Sequence, residues 1–342
     1  MRSARVLVLA AVLVLSVGCG RQERAPASPL SPSETRRIST ATAANDIFEK
    51  PTEIELETGA ESAVALITDM DIGVNGDFII ADGWRLHCVY VFSREGRFLR
   101  ILGRQGQGPG EYSTPVSVAV NSRGEILISD YMRNQIIVYA EDGRYLRFLQ
   151  GKPHIPYFLH LNSKNEIYAY SGTVGPGART TFNAVHKLDG QGGEILSFAP
   201  VPEDVLKLRF SAVDDGMTIG EDDMIYEMNP LFYQIRKYAP DGKLVGTFSS
   251  PHSHIAAKPD GTPEIFNGPH YLEGGLLVIQ RGKDIDVFDT AGNFLVGGIP
   301  FPSKIVAAKR NILYCEEWNE TTTQQAQANS RVLCYALRHF AR

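Results

Sequence analysis

No apolar run in the 342-residue chain is long enough to cross a bilayer as a helix. The longest, Val6 to Leu15, is about half of the roughly 20 residues a spanning helix needs. No long amphipathic helical pattern follows it, so an all-α architecture is excluded. Positive charge is short as well: 34 Lys and Arg stand against 39 Asp and Glu, a formal net charge of −5. Removing Arg2 and Arg5 with a cleaved leader leaves 32 against 39, or −7. Such a body lacks the cationic footprint that non-specific nucleic-acid binding requires. Catalytic signatures are missing too. The stretch 103–110 is Gly-rich, but no Gly-Lys-Ser/Thr follows and no helix opens after it, so it is no phosphate cradle. There is no Gly-x-Ser-x-Gly elbow and no zinc-protease His pair. Asp69-Met70-Asp71, Asp214-Asp215 and Glu221-Asp222-Asp223 lack the Gly and terminal Glu of a Ca²⁺ loop. His252 and His254 alternate as a chelating pair would, but no third ligand lies nearby in sequence. His160 or His270 could join them only through folding.

What is present begins with a leader. Residues 1–18 carry a basic start, the ten-residue apolar run and then small residues, the pattern of a signal peptide. Leu15-Ser16-Val17-Gly18-Cys19 resembles a bacterial lipobox. The resemblance implies cleavage before Cys19, its lipidation, and an envelope protein held to a membrane by that anchor alone. Residues 19–50 are rich in Pro, Ser, Ala, Thr and charge. Too little apolar surface is available there to offset ordering entropy, so the segment reads as a flexible tether.

Residues 51–342 repeat. VAVNSRGEILISD (118–130), GVNGDFIIAD (73–82), LNSKNEIYAY (161–170) and IGEDDMIYEM (219–228) share one template: apolar strand, polar turn, alternating strand. LEGGLLVIQ (272–280) and AAKRNILYCEE (307–317) follow it more loosely. A second hairpin follows in each of five units, as in VYVFSREGRFLRILG (89–103) and IIVYAEDGRYLRFLQG (136–151), with Gly at the turn supplying positive φ. Six units of four antiparallel strands predict an all-β, six-bladed β-propeller. The sixth unit ends after three strands, and the orphan TEIELE (52–57) is the candidate fourth strand that closes the ring.

The stretch 103–149, with its Gly-Pro-Gly-Glu-aromatic linker, its Asp closing the second strand and its hydrophobic third strand, resembles an NHL repeat. The chain as a whole looks like bacterial six-bladed propeller lipoproteins of that superfamily. The resemblance implies the fold; the function it leaves open, since such propellers serve as scaffolds, sensors, lyases and lactonases. Family members often carry Arg just before the third strand, where this chain has Cys88 and Gln135. That departure counts against a basic binding face.

The longer connections fall on one rim of the disk, between second and third strands and between blades. Loops of that kind carry function more often than tight turns. This rim and the adjoining channel mouth are therefore the expected binding face. Trp84, Arg85, Tyr131 and Arg133 sit in equivalent loops of neighbouring blades and are the candidate ligand-binding residues, with loop packing as the alternative. Asp82 and Asp130, ending the second strands, read as acceptors for turn N–H groups. Cys315 and Cys334 lie on neighbouring strands and form a disulfide if their register matches; a slip of one residue forbids it. The expectation is a monomeric envelope protein that binds a protein, a peptide or a glycan without a cofactor. The alternative is a metal-dependent lyase or lactonase-type enzyme, its site and its divalent ion at the channel mouth.

Overall fold

The computed structural model describes residues 29–59, 62–150, 158–171, 183–201, 215–229, 231–251, 265–318 and 331–338. The leader, Cys19, the His252/His254 pair and most of the long connections in blades three, four and six lie outside them. Six sheets of four antiparallel strands make up the body. Their innermost strands are Asp69–Ile72, Pro115–Val120, Phe158–Leu161, Met217–Ile219, Phe266–Leu272 and Ser303–Lys309. Each touches the next, and the sixth touches the first, so the ring is closed around an axis.

Period-two patterning builds this arrangement, because successive side chains leave a strand on opposite faces. In blade two, Ile126 and Ile128 pack against Ile79, Ala81, Val89 and Val91 of blade one. Leu127 between them packs the other way, against Leu159, Ile167 and Ala169 of blade three. The strand Ile126–Asp130 is therefore buried on both sides. A blade alone covers neither of its faces; stacked in a ring, every blade covers two.

Thr52–Glu55 pairs antiparallel with Arg331–Ala336 as the outer strand of blade six, with Ile54 opposite Val332 and Glu55 opposite Arg331. The N-terminal segment thus closes the ring as expected. One glycine fits the joint closely. Gly96 of blade one, at φ +84°, accepts a hydrogen bond from Glu57 N–H, and a Cβ there would run into the Glu55 carbonyl.

The tether behaves differently from expectation. Residues Pro32–Ser39 and Ala44–Ile47 form two short helices, α1 and α2. Ser31 caps α1 in a reciprocal box with Glu34, and Pro32 takes a first-turn position where its missing N–H costs nothing. Ile38, Ala41, Ala44, Ile47 and Phe48 bury against Phe301, Leu313, Tyr335 and Leu337. Four apolar residues and a phenyl ring suffice to order a polar segment once blades five and six offer a surface. The flexible reading of residues 19–50 therefore does not hold for Ser31 to Phe48.

Candidate functional site

The six inner strands enclose a cavity of about 1050 Å³ along the axis. Its walls reach the turns between first and second strands, at Asn75, Asn121, Asn165 and Arg310. The cavity thus extends to the short-turn rim, opposite the face that loop length singles out.

Four blades each send a polar side chain toward one region of it, and a fifth supplies a hydroxyl bonded to that group. Asp69 opens the inner strand of blade one. Its Oδ2 accepts from Ser117 Oγ of blade two at 2.5 Å and from Val118 N at 3.0 Å. His160 of blade three has Nε2 3.1 Å from Oδ1 and 2.9 Å from Oδ2 of Asp215, just ahead of the inner strand of blade four. His270 of blade five is 9% exposed, and its Nε2 lies 3.2 Å from Asn267 Oδ1. Strand irregularities help aim these groups: the register breaks between Pro115 and Ser117 and between Asn267 and His270. Further along the axis, Lys309 of blade six donates to Asp71 of blade one at 2.8 Å, fastening the two ends of the ring.

Burial shapes the protonation of this group. Asp69 is pushed up to about 7, first by desolvation and then by the negative charge of Asp215, against the hydrogen bond from Ser117. His270 is pushed down to about 4, chiefly by desolvation, with His160 adding to it and Asp215 opposing. For His160, desolvation acts downward, but Asp215, Asp69 and Asp71 outweigh it and hold the imidazole above its usual value.

The signs oppose across the acid range. Asp69, raised from 3.8, adds stability that is complete below that value and lost as pH rises through about 7. His270, lowered from 6.5, adds stability that is complete above that value and lost as pH falls through about 4. The Asp69→Asn variant removes the first contribution and leaves the second. Its melting temperature is expected to climb from pH 4 to pH 6.5 more steeply than that of the unaltered protein. Parallel curves would show that Asp69 does not titrate there.

A family profile described as a domain of unknown function, DUF4934, matches residues 34–237. The chain belongs to the DUF4934 family. The match starts inside α1 and runs through the closing strand and blades one to three into blade four. No curated protein matches the DUF4934 chain in sequence. Among solved structures it is similar to a protein of Bacteroides fragilis described as exported, with TM-score 0.64 and 15% identity over 88% of this chain and 98% of that one. It is also similar to a catalytically inactive virginiamycin B lyase from Staphylococcus aureus with quinupristin, with TM-score 0.55 and 13% identity over 84% of each chain. A third is a gluconolactonase from Xanthomonas campestris, with TM-score 0.52 and 16% identity over 92% and 96%. At such identities the likeness is one of fold.

The sequence-derived rim residues of this DUF4934 protein divide. Trp84 and Tyr131 meet across the first two blades, edge to face at 5.5 Å, beside exposed Leu86 and Met132. Arg85 is exposed. Arg133 instead holds the inter-blade linker, donating to the carbonyls of Glu111 at 2.8 Å and Gln107 at 3.2 Å. Asp82 and Asp130 have the structural role expected of them: Asp82 accepts from the N–H groups of Ala65, Leu66, Arg85 and Leu86, and Asp130 from those of Ser113 and Thr114.

The disulfide is corrected by register. Cys315 stands opposite Leu333 and Cys334 opposite Tyr314, so the sulfurs leave the sheet on opposite faces. Cys315 packs with the blade five–six core and Cys334 with the blade six–one core. Both are free, as is Cys88, and burial raises the Cys334 thiol to about 11. Titrating unfolded, unreduced protein should find all three thiols; only Cys88 reacting would restore the bond.

Among the described residues no three His, Cys, Asp or Glu side chains are placed to share a metal ion. Nor is any helix among them long and apolar enough to cross a membrane. Sequence reading missed the channel group. Nothing in the local pattern around Asp69 and Asp215 marks them as neighbours.

Proposed function

We propose that this protein is an envelope binding protein, lipid-anchored at Cys19, whose central channel holds its ligand. The observation that carries the reading is the convergence of Asp69, His160, Asp215 and His270, one from each of four blades, on a cavity of about 1050 Å³, with Ser117 of a fifth blade bonded to Asp69. A pocket of that size with a few converging polar groups and displaced protonation equilibria is the kind of place a small molecule occupies. The aromatic pair on the long-loop rim supports a second contact surface, for a peptide or glycan, only if the channel proves empty of function.

An enzymatic reading draws on one specific observation. His160, oriented by Asp215 beside a carboxyl poised near neutrality, has the parts of an acid–base pair. Two similar folds belong to a lyase and a gluconolactonase. That reading requires turnover, whereas the binding reading requires saturation without product.

A thermal-shift panel of small amines, carboxylates, sugars and lactones separates the alternatives. A channel ligand at a hundred times its Kd adds about 2.7 kcal/mol of stability. The shift should vanish in His270→Phe, which removes the ring nitrogens from the channel wall, and persist in Trp84→Ala on the rim. The opposite pattern would move the site to the rim and refute the channel. Product detected by NMR after incubation with a hit would convert the assignment to an enzyme.

A further inference from the structure

The hydrogen-bond inventory of the channel narrows its ligand, given the reading that the channel is the binding site. Asn267 Nδ2 donates to the Ile305 carbonyl at 2.7 Å, which fixes the amide so that Oδ1 faces His270. That oxygen can only accept, so Nε2 of His270 carries the proton. Nδ1 is left as a bare acceptor on a side chain nine-tenths buried, with no partner among the described residues and against the cavity. Among the described residues Asp69 is served by neutral donors alone: Ser117 Oγ, Val118 N and Met70 N. No cation among the described residues touches it. Asp215 has His160 and the Met217 N–H. The remaining lone pairs of Asp69, Asp215 and His270 all seek donors.

The charges agree with that inventory. Lining the channel with Asp69 are Asp71 on its own strand, His160 on blade three, Asp215 on blade four, His270 on blade five, and Lys304 and Lys309 on blade six, while Ser117 of blade two reaches the group through its bond to Asp69. Lys304 is paired with Glu316, Lys309 with Asp71 and His160 with Asp215. Ionised Asp69 is the carboxylate left over, and His270 adds no positive charge near neutral pH.

We infer that the channel binds a small organic cation, its ammonium or guanidinium head hydrogen-bonded between Asp69, Asp215 and Nδ1 of His270. Such a head supplies donors for those acceptors and a positive charge for ionised Asp69, the wall lysines being already paired. A metal ion fits less well, since no set of three ligand side chains is gathered for it among the described residues. The volume suits a whole organic molecule rather than a bare ion. Entry of the cation stabilises ionised Asp69, so binding releases a proton when the carboxyl starts protonated.

The test uses agmatine as the cation, glutarate as an anion and 1,5-pentanediol as a neutral molecule of similar length, by titration calorimetry on the full chain. Agmatine should bind at one site per chain, and the other two should not. Its affinity should fall about tenfold from pH 8 to pH 6, as the ionised fraction of a carboxyl titrating near 7 falls. Buffers of different ionisation heat should report proton release at pH 6. Asp69→Asn keeps an oxygen for Ser117 and Val118, yet should weaken agmatine at least tenfold and abolish the pH dependence. Asp215→Asn should weaken it independently, which guards against one variant misfolding. Glutarate or pentanediol binding that His270→Phe abolishes, with agmatine inert, would overturn the cation and leave the channel reading intact. Agmatine binding unaffected by His270→Phe and Asp69→Asn would overturn the inference, as would no binding by any of the three.

Discussion

A chain shortened to begin at Leu56 is expected to lose its cooperative native state, although no blade-forming repeat has been cut. The missing residues include Thr52–Glu55, the outer strand of blade six. Its loss bares the edge of Arg331–Ala336 and removes Ile54 from the blade six–one core. An unpaired edge of this kind invites pairing with another chain. The two helices go as well, and with them fully buried Ile38, Ile47 and Phe48. Truncating one buried Phe costs about 3–5 kcal/mol and one buried Ile about 2–5 kcal/mol. The combined loss rivals the whole stability of a domain, about 5–15 kcal/mol. Size-exclusion chromatography and urea unfolding should show aggregation or a broad, weak transition. The point variant Phe48→Ala isolates the helical part. Phe48 meets Phe301 at 6.0 Å and Tyr335 at 6.5 Å, both edge to face. Its melting temperature should fall by roughly 10 °C. A shortened chain that melts like the full one would mean that the N-terminal segment only decorates the ring.

Asp82→Ala should be the most damaging single substitution among the strand-ending carboxylates. Asp82 is fully buried, and its two oxygens accept four backbone N–H groups. Two belong to the segment entering blade one, and two to the loop between its second and third strands. One side chain thus ties the blade's entry to its long-loop rim. Each buried donor left without a partner costs about 1–3 kcal/mol. Some of the four reach water after the change, so the expected loss is about 4 kcal/mol. Asp130 holds the segment entering blade two with two N–H groups, at 2.9 Å and 3.0 Å, and its Ala variant should lose about half as much. Asn at either position keeps one carbonyl oxygen and should fall between. Chemical denaturation of the four variants checks the order. Losses below about 0.5 kcal/mol, typical of an indifferent surface site, would show that these bonds do not hold the rim.

The contrast between the two aspartate groups shows where local reading works. Asp82 and Asp130 bond within roughly 17 residues of themselves, inside a unit that repeats, so their role follows from strand, turn and position. Asp69 bonds to Ser117, 48 residues away, and His160 to Asp215, 55 residues away. Neither separation has a local pattern, because each partner sits on a different blade. The helices failed for another reason. The signal was present in Ser31-Pro32-Ser33-Glu34, a capping box with Pro in the first turn. Helices of this length are not stable alone, and the surface that makes them so is built by blades five and six.

The sequence by itself determined the strands, their turns, the sixfold repetition and the closing role of the N-terminal strand. Alternation with period two, and glycine at positive φ, act over a few residues and leave their mark on any stretch that uses them. Only the tertiary structure decided which side chains share the axis, whether two cysteines face each other, and what orders the residues before the ring. Those outcomes depend on register and on closure: one residue of slip turns a thiol to the opposite face, and five groups from five blades meet only once the circle is complete.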